Sequence, residues 1–213
     1  IYNLAASEYG LDGKNPFSKV YFPETNDTKA RRPATETELS QIQSECTSLN
    51  DEIRWLIALV SDTGMRLSEA AGLYWDDVKL DDEIPHIIIQ PNAHRRLKTA
   101  SSKRTIPVVG FSLWALKEAK THANGPYVYP KYMKGTTCAA NSASAATNKW
   151  IKSLVNSDIS MHSLRHSMRD RLRSAQCPTE VIDQIGGWSS GSIGSKYGLG
   201  YPIHVLQEWM LKM

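Results

Sequence analysis

The chain has 213 residues, 41% hydrophobic and 22% charged, which supports one good-sized globular domain, or one domain with a short piece of another. No apolar run approaches the roughly 20 residues of a bilayer span, and no secretory leader is recognised. Cys46, Cys138 and Cys177 lie far apart with no C-x-x-C, which argues against a disulfide framework or a zinc site and for a reducing cytoplasm. The sequence opens on Ile1 and reads as an excised fragment.

The net charge of +3 is modest, but its distribution is uneven. Residues His94 to Arg104 hold Arg95, Arg96, Lys98, Lys103 and Arg104 with no acid, and Arg165 to Arg173 hold four arginines against Asp170. Such stripes are either solvated faces or a surface for a polyanion, and charge alone does not decide between them.

In chain order, a short helix over Ile1 to Tyr9 precedes a polar, turn-rich stretch through NPFSKV and FPETNDTKARRP that reads as a linker. Thr35-x-x-Glu38 is a capping box and predicts a helix to about Ser48. A second helix starts near Asp51, with Ile53, Leu56, Ile57 and Val60 on one face, and stops near Gly64. A short helix then carries Leu67 to Leu73. The β-branched runs His86 to Gln90 and Arg104 to Val109 predict strands. The basic segment between them would supply a middle strand and a turn at Ala100–Ser102. Further helices are expected at Ser112–Thr121, Asn141–Val155, His162–Ala175 (buried stripe Leu164, Met168, Leu172), Thr179–Ile185 and Ile203–Leu211. The fold class is α+β, mainly α-helical with a small antiparallel three-stranded sheet.

Three segments carry chemistry. In TGMRLSEAAGLYWDDV (63–78), Arg66 follows a glycine break and begins a helix, where its charge opposes the dipole. In HSLRH (162–166), His162 and Arg165 are three apart and share a helix face, pairing a titratable imidazole with a fixed guanidinium fork. His162 and His166 could hold a metal, but no acid sits between them as in H-E-x-x-H. In GGWSSGSIGSKYG (186–198), small residues separate Trp188 from Tyr197, and a tyrosine ending such a stretch can be presented to a substrate. Alone, the misfit of Arg66 favours function, whereas HSLRH by itself reads as an ordinary basic helix and the tyrosine segment as an ordinary surface loop.

Taken together, their order and spacing resemble the tyrosine recombinases of the phage-integrase family, over about residues 33–213. TGMRLSEAAGLYWDDV resembles that family's first arginine block, KTASSKRTIPV its lysine hairpin, and HSLRHSMRDRL its H-x-x-R helix. The resemblance implies the DNA breaking-rejoining fold, with residues 1–32 as a remnant of a core-binding domain and linker. It implies Arg66 and Arg165 as the catalytic arginines, Lys98 as the hairpin lysine, His162 as the histidine, Trp188 as a second donor and Tyr197 as the nucleophile, with Glu69 in support. Lys103 is the alternative lysine and Tyr201 the alternative nucleophile. The donor position is more often histidine; an indole N–H donates but does not titrate. Arg95, Arg96, Lys103, Arg104, Arg169, Arg171 and Arg173 would contact the DNA backbone.

The implied activity is site-specific integration or excision of a mobile element through a 3′-phosphotyrosyl link, in the cytoplasm of a bacterial or phage-infected cell, with no metal and no cofactor. The implied partners are double-stranded DNA at attachment sites and other recombinase protomers, a tetramer on DNA and a monomer alone. The apolar stripe Ile203, Leu206 and Met210 would pack either within the chain or on a neighbouring protomer. Rival readings are an inactive DNA-binding module of this fold, a type IB topoisomerase and a helix-turn-helix factor. The last leaves the spacing of Arg66, His162, Arg165 and Tyr197 unexplained.

Overall fold

The structure is a computed structural model and describes residues 2–10, 13–16, 18, 20, 32–92, 102–188 and 200–213. The chain divides into two units, Ile1–Ala30 and Arg31–Met213. In the first, helix α1 (Tyr2–Tyr9) buries no residue, and Asn15 Nδ2 donates to Asn3 Oδ1 at 2.8 Å. All that follows concerns the second unit.

Helix α2 (Glu36–Leu49) begins at the expected capping box. Thr35 Oγ1 accepts the Glu38 N–H at 3.2 Å, and the Glu38 carboxylate accepts the Thr35 N–H at 2.8 Å. Arg32 grips the same carboxylate through both Nη atoms, at 2.7 and 2.8 Å, and this pairing holds the Glu38 carboxyl down to about 2.

Helix α3 (Glu52–Thr63) was expected to be amphipathic. Instead every residue from Trp55 to Thr63 is buried, while Ile53 is only partly so. The reason is position: α2, α5, α6 and α7 all pack on α3, so it runs through the middle of the unit rather than along its surface. It ends at Gly64, whose φ of 60° is left-handed.

After α4 (Leu67–Ala71) and a 3-10 turn at Trp75–Asp77 comes a three-stranded antiparallel sheet: β1 (Val78–Lys79), β2 (His86–Ile89) and β3 (Arg104–Pro107). Ile87 lies opposite Ile106, and Ile89 opposite Arg104. The sheet has the expected size but a different third strand. β2 and β3 pair directly with each other, not through a middle strand, and the third strand is upstream at Val78–Lys79. Two residues are too few to show a period of two in sequence. Residues 93–101 lie outside the described residues.

Helix α5 (Gly110–Thr121) starts two residues earlier than expected because α3 caps it. Asp62 accepts the N–H groups of Phe111 and Ser112, at 2.8 and 3.2 Å, and also pairs with Arg171 Nη2 at 3.0 Å. This buried carboxylate ties α3, α5 and α7 (Met161–Ser174) at one point. Between α5 and α7 lie an unexpected hairpin, β4 (Met133–Lys134) with β5 (Thr137–Cys138), and helix α6 (Ala140–Leu154). On α7 the expected stripe Leu164, Met168 and Leu172 is fully buried, and each such side chain contributes about 1.5–3 kcal/mol by area. Helix α8 (Thr179–Gly186) leads to Trp188. Helix α9 (Ile203–Met210) packs against β3 of its own chain and buries Leu206 and Met210. No helix among the described residues is long and apolar enough to cross a membrane.

Candidate active site

The break between α3 and α4 sets the first arginine. Gly64 turns the chain, Met65 is fully buried as an anchor, and Arg66 takes an extended backbone as the residue that begins α4. One turn on, Glu69 binds it twice: the carboxylate accepts the Arg66 N–H at 3.0 Å and Arg66 Nη1 at 2.8 Å. One acid therefore fixes both the backbone and the head of this arginine, and offsets its unfavourable place at a helix start. Arg66 Nη1 also donates to Ser102 Oγ at 3.0 Å, and Nη2 to the Gly187 carbonyl at 3.3 Å. Its side chain keeps 27% exposure, so the head is held yet reachable.

Arg165 on α7 approaches from the other side. Its Nη1 donates to the Gly64 carbonyl, its Nη2 to the Gly186 carbonyl at 2.7 Å, and its Cζ lies 4.3 Å from the centre of the Trp188 ring. Burial, with the like charges of Arg104 and Arg66, pushes its pKa down to about 9, against the opposing pull of Glu69. The carbonyls and the indole face give the buried guanidinium its contacts.

The C-terminal end of α8 serves as the common acceptor. The carbonyls of Ile185, Gly186 and Gly187 accept from Arg104 Nε at 2.9 Å, Arg165 Nη2 at 2.7 Å and Arg66 Nη2 at 3.3 Å. These groups would otherwise lack helical partners, and they carry the negative end of the helix dipole. The two glycines are needed. A Cβ at 186 would fall 1.9 Å from the Trp188 ring. One at 187 would sit 2.8 Å from Arg104 Nη1, on a backbone with φ of 65°.

Trp188 is fixed further by Arg169, whose Cζ lies 4.8 Å from the ring centre and whose Nη2 reaches Asp183 at 3.4 Å. Glu69 is buried, which raises its pKa, but Arg104 and Arg66 more than offset this and hold it below the ordinary carboxylate value. His162 is exposed on α7, one turn before Arg165, with its ring centre 4.6 Å from that of His166 in an edge-to-face contact.

Of the residues singled out in the sequence, the fold therefore brings together Arg66, Glu69, Arg165 and Trp188, with His162 on the same helix as Arg165. Lys98, Arg95, Arg96 and Tyr197 lie outside the described residues. Tyr201 is exposed, and its backbone N–H and carbonyl are bound by the Gln184 side chain at 2.8 and 2.9 Å. Lys103 and Arg173 are exposed, Arg173 pairing with Asp170 at 3.2 Å. Three residues expected at the DNA backbone are otherwise engaged, Arg169 with Asp183 and Trp188 as described above. Arg171 binds the Ser61 carbonyl at 2.6 Å and Asp62 within the helical core. Arg104 is buried against Glu69. Its burial had a signal: Arg104 and Ile106 fall on the same face of β3, with Thr105 between them on the other, so parity puts the arginine on the core face. The acceptor role of the α8 carbonyls has none, because backbone oxygens leave no trace in a sequence.

The model of the phage integrase family matches residues 33–199. Tyrosine recombinase XerD of Corynebacterium glutamicum is 29% identical over 144 residues, covering 64% of this chain and 44% of that protein. The chain thus spans less than half the length of that curated relative. Among solved structures, the Tn1549 transposon integrase in complex with transposon right end DNA is 19% identical, covering 100% of this chain and 77% of that one with a TM-score of 0.60. A lambda integrase tetramer bound to a Holliday junction is 16% identical, covering 92% of this chain and 55% of that one with a TM-score of 0.58. At these identities the structural likeness shows the fold, which is that of integrase and recombinase catalytic domains. With the family model covering most of its length and the arginine cradle assembled from the same blocks, the chain belongs to the phage integrase family.

Proposed function

We propose that residues 33–213 form the catalytic domain of a tyrosine-type site-specific recombinase, which integrates or excises a mobile element. Residues 1–32 would be the end of a preceding DNA-clamping domain. The observation that carries this reading is the pair Arg66 and Arg165, held by a buried acid and by shared backbone carbonyls, with the Arg66 head left partly exposed. In this reading Tyr197 Oη attacks the phosphorus of a DNA phosphodiester. Its proton leaves with help from His162 as acceptor or hydrogen-bond partner. Arg66 and Arg165 neutralise the non-bridging oxygens as charge builds, and Trp188 packs and donates. Lys98 protonates the departing 5′ oxygen. One P–O bond forms as another breaks, leaving a 3′-phosphotyrosyl link and a free 5′ hydroxyl. Attack by a 5′ hydroxyl reverses the step, so no ATP is used.

The DNA is held by backbone contacts from Arg95, Arg96, Lys103 and Arg173, which give affinity and salt dependence rather than sequence choice. The working assembly is a tetramer on DNA, as in the lambda integrase structure. Alone, the chain is a monomer, a reading supported by α9 packing on β3 with Leu206 and Met210 buried. The setting is a bacterial or phage-infected cytoplasm. The test is a labelled, nicked duplex carrying the attachment site, incubated with EDTA and then denatured. A covalent adduct with the wild type and none with Tyr197→Phe is expected. An adduct that persists in Tyr197→Phe moves the role to Tyr201. No adduct on a duplex that is bound would favour an inactive binding module.

A further inference from the structure

Arg104 has no part in the chemistry described above, yet it sits at the centre of the site. It opens β3, and its side chain is 2% exposed. Nη2 donates to Glu69 Oε2 at 2.9 Å, and Nη1 reaches Oε1 at 3.4 Å. Nε donates to the Ile185 carbonyl at 2.9 Å, and Nη1 to the Ser102 carbonyl at 2.8 Å. Each partner belongs to a different piece of the site. Glu69 holds Arg66. Ile185 is in the last turn of the helix that leads to Trp188. Ser102 follows the segment carrying Lys98, and its hydroxyl binds Arg66.

The charges explain why a buried cation is useful here. Glu69 with Arg66 alone would be a closed one-to-one pair, with the arginine's charge cancelled before any phosphate arrived. With Arg104 on the same carboxylate, the three guanidiniums of Arg66, Arg104 and Arg165 share one acid among the described residues, and those four side chains keep two positive charges. A phosphodiester carries one negative charge and gains toward a second as a nucleophile adds. Fixed charge placed where charge develops is the effect that accelerates such a step.

We propose that Arg104 is a positioning residue for strand cleavage: it takes up the charge of Glu69, so that Arg66 is held in place but left free to neutralise the phosphate. The proposal rests on the recombinase reading above. The fork matters as well as the charge, since a lysine cannot reach Glu69, Ser102 and Ile185 together.

The test compares wild type, Arg104→Lys, Arg104→Gln and the double variant Arg104→Gln/Glu69→Gln in single-turnover cleavage of the nicked duplex, with duplex affinity measured alongside. Arg104→Gln should cleave about 100-fold more slowly at an affinity within about threefold of wild type. Arg104→Lys should stay within about tenfold of wild type, because it keeps the charge. The double variant should recover about tenfold over Arg104→Gln, because the acid that would capture Arg66 is gone. A merely structural arginine predicts the opposite, with the second substitution adding to the damage. Cleavage by Arg104→Gln within about threefold of wild type, or a double variant no faster than it, would overturn the proposal. If Arg104→Gln does not fold, wild type, Arg104→Lys and the double variant decide, and Arg104→Lys slower than the double variant overturns it.

Orthovanadate, a tetrahedral phosphate mimic, gives a readout without cleavage. Its binding, followed by vanadium NMR, should weaken in Arg104→Gln and recover in the double variant. That pattern without any wild-type adduct would sink the recombinase reading and leave the charge assignment standing. Vanadate binding indifferent to Arg104→Gln would sink the charge assignment.

Discussion

Gly187 shows how little room a single position in this site has. Its left-handed backbone disfavours any side chain by about 1–2 kcal/mol, and a Cβ there would press on Arg104 Nη1 at 2.8 Å. Gly187→Ala is therefore expected to lower the unfolding temperature by several degrees and to slow cleavage more than it weakens DNA binding, because the displaced atoms are those that hold Arg66 and Arg104. Thermal unfolding and single-turnover cleavage on one preparation check this; unchanged cleavage would mean that the carbonyl scaffold is not needed for the chemistry. At this scale the sequence was partly legible. Arg66, Glu69, Arg165 and Trp188 could be picked out because fixed spacings carry them. The sequence groups Arg104 with the DNA-backbone contacts, because it ends a basic stretch that starts at Arg95. Only the strand parity with Ile106 separates it from its neighbours, and that parity is visible once the strand is placed.

Among the elements, the helices were legible wherever a cap and a stripe coincided. Thr35 with Glu38, Gly64, and the stripe Leu164, Met168 and Leu172 all lie where expected. The misses have physical causes: α3 is surrounded on all sides and so shows no polar face, and β1 is too short to show a period. The start of α2 gives a pH prediction. The Glu38 carboxyl is held at about 2 in the folded chain, below its ordinary 4.5, by Arg32 and the Thr35 amide. A carboxyl lowered by folding contributes stability that is full above the unfolded value and is lost as pH falls toward the folded one. The difference in unfolding temperature between wild type and Glu38→Gln should be constant from neutral pH to about 5 and then shrink by more than half by about pH 3. A difference that stays level through that window would show that the pair does not form.

For the whole molecule, α3 is the post on which the site is built. Its end places Gly64 and Arg66, the helix beside it carries His162 and Arg165, and α8 closes the ring with its carbonyls. Three distant stretches of chain thus meet around the guanidiniums of Arg66 and Arg165, and this convergence was not readable from any one stretch. The central claim is that this arginine pair stabilises a phosphate during cleavage rather than only binding DNA. Arg66→Ala tests it most directly, because Arg66 is the partly exposed member of the pair and lies at a helix start, outside the core. The measurement is the single-turnover rate of covalent adduct formation at saturating protein, with EDTA present. The account predicts a loss of about 100- to 1,000-fold in rate, with duplex affinity changed only a few-fold. An Arg66→Ala chain that forms the adduct at close to the wild-type rate would contradict it.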